Sequence, residues 1–368
     1  MTKIVTIDAR WLVGGIGTYT ANLLSGLAGH TNGLEFHAIA RSKDADRVGG
    51  WCSRVKVINA PIYTLREQFL VPRAARECDL LHVPHFNAPV LYRGLLLVSI
   101  MDVIHISSPA YRNSFASSMY ARPMLHWAAR KAAHIVTVSE YSKAEIVRAL
   151  GIPASKITVI HCGVDDQFRV QEKKEAFEAV KRVLPVCVPY LLYVGNLKPH
   201  KNILTLLRAF AQWRARGNTA HSLVIVGEDS RWKPPLLEEC TALGIRECTI
   251  FVPHVSQELL PKIYSAADAL IMPSTVEGFG LPVLEAMACG TPVICSNAGS
   301  LPEVAGEAAL YFDPARAEDL ANAIGRLLLS PELQERLRSV GLARAGQFSW
   351  QESTRKHIEL YNHLLEGN

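Results

Sequence analysis

Short apolar, β-branched runs alternate with longer amphipathic stretches along the whole chain. "KIVTID" (3–8) predicts a strand, and "GIGTYTANLLSGLAG" (15–29) predicts a helix after a glycine turn. Further strands are expected at 35–40, 55–60, 79–83, 95–103, 134–139 and 157–165. A charged helical segment, "QEKKEAFEAVKRVL" (171–184), follows, and the pattern then restarts. A second set of strands is expected at 190–195, 222–227, 248–253, 268–274, 292–297 and 308–312, again separated by helices. Strands alternating with helices predict a parallel, doubly wound α/β sheet, here twice over. The tail, "SWQESTRKHIELYNHLLE" (349–366), predicts an amphipathic helix with Trp350, Ile358, Tyr361 and Leu364 on its apolar side. The linker is expected near residues 165–187.

Length agrees with that division, since 368 residues exceed one ordinary core. With 49% apolar and 20% charged residues the chain is an ordinary globular one with material for a large core. A net charge of +5 and a pI near 8.7 suit an anionic small molecule or an acidic membrane surface, and are too weak for a nucleic-acid partner. The eight cysteines show neither a Cys-x-x-Cys pair nor a zinc-like His spacing, so a reducing cytoplasm and no metal site are expected. "DAD" (44–46) and "DD" (165–166) sit in polar turns and are assigned to no metal. The N-terminal "MTKIVTIDAR" carries no signal-peptide pattern, and no apolar run reaches the roughly 18 residues that span a bilayer.

In a parallel sheet, ligands bind at the loops that follow the strand C-termini. Four such loops carry chemistry. In "MPSTVEGFGLPVLEAMACG" (272–290), Pro282 suits the first residue of a helix and Gly290 its stop. Gly278 and Gly280 let backbone approach a ligand, and the helix start favours an anion such as a phosphate. Glu277 and Glu285, eight positions apart, are themselves negative. They are better used to accept hydrogen bonds from paired hydroxyls, one on a sugar and one on a ribose. The bland alternative is a helix-start carboxylate and a surface glutamate, but Val283, Leu284, Ala286 and Met287 around Glu285 argue against it. In "YVGNLKPHKN" (193–202), Lys198, His200 and Lys201 lie between a strand end and a helix start, as a phosphate clamp would. "VGGIGTY" (13–19) is a glycine turn that lacks the G-x-G-x-x-G spacing because Thr20 stands at the third glycine, and as a loop facing a crevice it is expected, through Gly15, to touch a phosphate or the acceptor. Asp8 and Arg10 beside it fit either a ligand contact or a salt bridge. His82, His85, Asp102 and His105 each follow a strand, although a lone histidine is more often a structural hydrogen-bonder.

The block "EGFGLPVLEAMACGTPVICSNAGSLPEVAGEAALYFDP" (277–314), with "GGIGTY", "KITVIHCGVD", "YVGNLKPHKN" and "FSW", resembles the retaining GT-B glycosyltransferases of family four over nearly the whole chain. That resemblance implies two Rossmann-like domains facing a cleft. Residues 1–170 would be an acceptor domain and 185–348 a donor domain, with 349–368 crossing back onto the first. It implies sugar transfer from a nucleotide-sugar to an acceptor hydroxyl with retention, and neither metal nor cofactor. Glu277 matches the glutamate on the donor sugar, Glu285 that on the ribose, and Lys201 the diphosphate lysine. The backbone of Gly278, Phe279, Gly280 and Leu281 would meet the phosphates, and His254 and Val255 would border the base. Asn196 stands where the family has an arginine, which leaves Lys198 or His200 as the second cation. Met101 stands where many relatives have a histidine, which leaves Asp102 or His105 as the polar contact near the reacting carbon.

The phosphate loop resembles the mannosyltransferase branch, so GDP-mannose is the expected donor, in synthesis of a surface polysaccharide such as an O-antigen. Alternatives are a UDP-sugar donor or a catalytically silent nucleotide-sugar-binding protein; the broken glycine fingerprint disfavours an NAD-dependent oxidoreductase. The acceptor is expected to be a saccharide, free or lipid-linked. The segment 108–133 is read either as a contact with the cytoplasmic membrane face or as a helix pair with Trp127 in the core.

Overall fold

In the computed structural model, residues 2–30, 33–107, 115–184, 189–217 and 220–367 are described, without the side chains of 105, 107 and 115–121. The chain separates into two compact units, Met1–Gly163 with Ser349–Asn368, and Val164–Phe348. In the first unit the strands are β1 (Lys3–Asp8), β2 (Leu34–Ala40), β3 (Arg54–Val57), β4 (Leu80–Val83), β5 (Leu95–Ser99), β6 (His134–Thr137) and β7 (Ile157–Val159). They form one parallel sheet in the order β3-β2-β1-β4-β5-β6-β7. The second unit holds β8 (Tyr190–Val194), β9 (Ser222–Val226), β10 (Thr249–Val252), β11 (Ala269–Met272), β12 (Val293–Ser296) and β13 (Ala309–Phe312). Their order, β10-β9-β8-β11-β12-β13, repeats that of the first six strands of the first unit. Each unit is thus a Rossmann-like α/β domain with a switch point beside its first strand, between β1 and β4 and between β8 and β11.

Central strands are buried on both faces, so they read as continuous apolar runs: Leu191–Tyr193 and Ala269–Met272 have no exposed surface. Several observed strands stop one or two residues short of the expected runs, because the final residues turn into the loops. The greatest differences are at 157–165, where β7 ends at Val159, and at 95–103, where β5 ends at Ser99. Beyond it the Met101 carbonyl accepts from Ser142 Oγ (2.8 Å), and Asp102 Oδ1 accepts from the Ile104 amide (3.0 Å), closing a turn. The expected linker also moves. The division falls at Gly163, and residues 164–184 belong to the second unit: Phe168 packs edge-on against Tyr264 (5.9 Å), and Lys173 pairs with Asp268. Of the segment 108–133, residues 108–114 lie outside the described residues. Helix Phe115–Lys131 follows, with Trp127 packed on the first unit's core.

The terminal helix, Trp350–Glu366, returns to the first unit, but on a face other than the one its apolar residues suggest. Its buried side chains are Trp350, Ser353, Thr354, His357, Leu360 and Tyr361, while Ile358 and Leu364 are only partly covered. Two contacts set that rotation. Gly26 lies so close to Thr354 that an added Cβ would sit 2.2 Å from its Oγ1. The polar atoms enter a sealed network: His82 Nδ1 bonds the Tyr361 hydroxyl (2.8 Å), His82 Nε2 bonds Ser99 Oγ (2.8 Å), and the Tyr19 hydroxyl joins Ser99 (3.1 Å) to His357 Nε2 (2.7 Å). His82 is therefore the structural hydrogen-bonder that a lone histidine more often is, at the sheet–helix contact, because β4 is central and its side chains point into the packed layers.

Both imidazoles are held neutral. Burial depresses His82 well below its ordinary value and His357 to about 4, with the opposing imidazole adding to the effect at His82. A histidine with a lowered folded pKa contributes stability that is complete above its unfolded pKa, about 6.5, and is lost as pH falls. Melting curves should therefore show the unfolding temperature dropping between about pH 6.5 and 4. Tyr361→Phe, which leaves His82 Nδ1 buried and unpaired, should lower stability by about 1–3 kcal/mol at neutral pH in urea titrations.

Candidate functional site

The loops that leave β8 and β11 are tied to each other. After β8, Gly195 takes a φ of +154°, and a Cβ on Gly227 of the next strand would lie 1.8 Å from its carbonyl oxygen. The Tyr193 hydroxyl donates to the Asn196 carbonyl (2.6 Å), and Asn196 Oδ1 accepts from the Lys198 amide (3.2 Å), so the chain folds over the strand end. A single turn, Pro199–Lys201, then leads into Asn202, which adopts a left-handed φ of +57° at the start of helix Ile203–Ala215. Asparagine tolerates that conformation, and here its amide nitrogen donates to the carbonyls of Pro273 (3.1 Å) and Pro314 (2.8 Å). The Thr275 amide donates to the His200 carbonyl (2.8 Å). One sheet edge thus fixes both loops.

That tie brings Lys201 and Glu277, 76 residues apart, into a two-oxygen ion pair with Nζ to Oε1 2.8 Å and Nζ to Oε2 2.6 Å. The two side chains keep 10% and 14% of their exposure, enough that the pair is reached from solvent yet screened little by it. His200 is buried beside Lys201, Lys198 is partly exposed and Asn196 is exposed.

Two residues from the loop after β12 hold the Glu277 backbone. The Ser300 amide and hydroxyl both donate to the Glu277 carbonyl (3.1 and 3.0 Å), and the hydroxyl also reaches the Phe279 carbonyl (2.9 Å). Gly299, at φ +65°, lies so close that an added Cβ would be 2.6 Å from the Glu277 nitrogen. Gly280, at φ +104°, then turns the chain into helix Leu281–Ala288, whose first turn has no side-chain cap. Pro282 has no N–H and the Val283 amide donates to the Gly280 carbonyl (2.9 Å), so what this turn offers an anion is chiefly the positive end of the helix. Pro282 lies in the first turn, and Gly290 follows the helix at φ +73°.

Glu285 sits within this helix, partly covered, and its Oε2 accepts from the Tyr264 hydroxyl (2.7 Å) of helix Leu260–Ala266. Burial pushes its carboxyl up to about 7, against the Tyr264 hydrogen bond and with some help from Asp165. It is therefore poised between protonated and ionised near neutrality. Val255, in the loop after β10, is partly exposed. Tyr264, Ser300, Gly299 and Asn202 join the site only through the tertiary structure. Asn202 closes the quoted "YVGNLKPHKN" and follows a helix-breaking Pro-His-Lys, a readable signal; Tyr264, 21 residues before Glu285, has none.

Asp102 and Gly15 belong to the first unit. Asp102 closes the turn after β5, and Gly15 is the exposed second residue of helix Gly14–Leu27. Nothing lies within 4 Å of a Cβ built on Gly15. The glycines that this turn needs are Gly14, at φ +64°, and Gly17, where a Cβ would be 2.2 Å from the Leu12 carbonyl carbon. Asp8 and Arg10 form a buried ion pair (2.7 Å) that Glu67 joins at 3.1 Å. His85 stacks on Trp11 with centroids 5.7 Å apart, and its Nδ1 accepts from the Asn87 amide (3.0 Å). Asp8, Arg10, Trp11, His85 and Asn87 line a shallow recess at the β1–β4 switch point. The His105 side chain lies outside the described residues.

Comparison with known proteins accounts for most of the chain. Residues 176–343 match the family model for glycosyl transferases group 1, and residues 13–168 match that for glycosyltransferase family 4. The O-antigen chain mannosyltransferase B of Escherichia coli is 35% identical over 284 residues, 77% of this chain and 74% of that protein. Among solved structures, a sucrose-phosphate synthase from Thermosynechococcus elongatus superposes with a TM-score of 0.80 at 23% identity, each chain fully covered. The Anabaena protein Alr3699/HepE, solved in complex with UDP-glucose, gives 0.81 at 20% identity, with 98% of this chain and 99% of that one covered.

The close approach of Gly299 makes the Glu277 loop testable without touching a charged group. Gly299→Ala should cost about 1–3 kcal/mol from the left-handed backbone and the clash, read as a lowered unfolding temperature. It should also weaken binding of nucleoside diphosphates in calorimetry.

Proposed function

This chain belongs to glycosyltransferase family four, and we propose that it moves mannose from GDP-mannose to a saccharide hydroxyl with retention of anomeric configuration. The observation that carries the reading is the Lys201–Glu277 pair, set beside an uncapped helix start at the β8–β11 switch point. Resemblance to an O-antigen mannosyltransferase supports mannose as the sugar and a surface polysaccharide as the product. The acceptor in this reading is a saccharide, free or lipid-linked, used at the cytoplasmic membrane face.

Each group then has a task set by its charge. The leaving diphosphate gains negative charge as its bond to the anomeric carbon breaks, and the Lys201 ammonium and the positive helix end after Gly280 stabilise it. Glu277 holds Lys201 in place before the donor arrives and accepts hydrogen bonds from the sugar hydroxyls afterwards. Ionised Glu285 accepts both hydroxyls of the ribose, while Tyr264 fixes its rotamer from behind. Lys198 and His200 lie on the same loop as Lys201 and supply the second phosphate contact, in the place of the arginine that Asn196 replaces. The acceptor oxygen bonds to the anomeric carbon on the face the diphosphate leaves, and its proton passes to a leaving phosphate oxygen. Charge stabilisation comes from Lys201 and the helix end, so the proposed reaction needs no metal ion.

Three measurements bear on this. In a thermal-shift series GDP should stabilise the protein more than UDP or ADP, since the shift follows concentration over dissociation constant. A larger shift with UDP would move the donor to a UDP-sugar. Lys201→Ala and Glu277→Ala should each lower kcat by about 10²–10³, the usual scale for removing a group that meets developing charge. Glu285→Ala should act mainly on donor KM; binding of GDP-mannose with no release of GDP would overturn the enzymatic reading in favour of a silent binding protein. Finally, GDP affinity should rise between about pH 6 and 8 as Glu285 ionises through a pKa of about 7. Glu285→Gln should abolish that dependence.

A further inference from the structure

Helix Leu65–Ala74 of the first unit buries its polar side and exposes its apolar one. Glu67, Gln68 and Val71 face inward, while Leu65 and Phe69 keep 82% and 65% of their exposure. Spaced at i and i+4, these two share one face of the helix. The turn at residues 88–92 lies against the same helix, because Gln68 Oε1 accepts from the Val90 amide (2.6 Å), and Val90 and Leu91 are exposed as well. Single exposed hydrophobes are ordinary, whereas a contiguous ridge of them marks an interaction surface.

The charges beside the ridge are mostly basic. Arg66, Arg73, Arg76 and Arg93 are all exposed, and among the described residues none is paired with a carboxylate. Within residues 58–79 and 84–94 the carboxylates are Glu67, which is buried, salt-bridged to Arg10 and hydrogen-bonded to Asn87, Glu77, which pairs with Arg54 and Lys56, and Asp79, which pairs with Lys3. A second copy of the chain docking by a twofold axis would bring the same arginines together, which charge repulsion disfavours. An apolar strip edged by unpaired arginines instead matches the interface of a bilayer with an anionic surface.

We propose that this face seats the protein on an anionic lipid bilayer. Leu65, Phe69, Val90 and Leu91 enter the boundary between headgroups and acyl chains, and the four arginines meet lipid phosphates. The inference deepens the proposed function by naming the surface that reaches a membrane-borne acceptor. It is read from vesicle binding alone, so it and the transferase reading fail separately.

The test is co-sedimentation of the full chain with phosphatidylcholine vesicles, with and without phosphatidylglycerol. Pelleting is expected only with the anionic vesicles, and it should weaken as salt is raised. Leu65→Gln with Phe69→Gln, and separately Arg66→Glu with Arg73→Glu, should each reduce partitioning by about tenfold or more. Because these side chains are exposed, the unfolding temperature and the GDP-induced shift should match those of the parent chain. Absence of pelleting by the parent chain, or equal pelleting by the variants, overturns the proposal. So does concentration-dependent self-association that the Leu65/Phe69 variant abolishes, which would make the ridge an interface between copies.

Discussion

Lys201 and Glu277 meet because two parallel strands, β8 and β11, lie side by side and release their chains at the same edge of the sheet. A parallel order that reverses beside its first strand leaves a gap there that helices do not cover. Everything polar in the site hangs from that gap: the turn 199–201, the 273–280 loop and the helix start after Gly280. Asn202 and Ser300 then hold the two loops in place through backbone carbonyls, so the ion pair is set by main-chain geometry more than by its own attraction. A nearly buried pair repays its desolvation only when its geometry is held in this way.

The first unit uses the same strand order for a different balance. Its switch point is occupied by Asp8, Arg10 and Glu67, a closed charge cluster, and its central strand β4 sends His82 into a neutral network with the terminal helix. Burial favours neutral partners there, since each imidazole would have to shed its water to carry charge. The C-terminal helix is thus recruited by hydrogen bonds as well as by Trp350, Leu360 and Tyr361. The second unit keeps ionised groups near the surface, where a charged ligand can use them.

Much of this was legible beforehand. Apolar runs bounded by glycine or polar turns located the thirteen strands among the described residues, most of them because strands buried on both faces must be continuously hydrophobic. The site loops were legible for a related reason: glycine, proline and charge after a strand have few structural uses other than turning the chain beside a ligand. Strand ends were less legible, since a residue such as Met101 is as apolar as the strand before it and is turned aside by Ser142, 41 positions away. The unit boundary was misplaced because the polar, charged segment 171–184 looks like a linker. Its few apolar residues, with Phe168, nevertheless pack into the second unit.

The sequence by itself determined the two parallel-sheet units, the loops that carry Lys201, Glu277 and Glu285, and the helix start between the glutamates, because periodicity and turn residues act locally. The tertiary structure alone decided what those residues do to one another. It paired Lys201 with Glu277, put Tyr264 behind Glu285 so that burial moves its carboxyl toward neutrality, and turned the terminal helix so that His357 rather than Ile358 faces inward. Each of these depends on groups far apart in the chain, and the free energy of a charge depends on the water and partners around it, which no local pattern records.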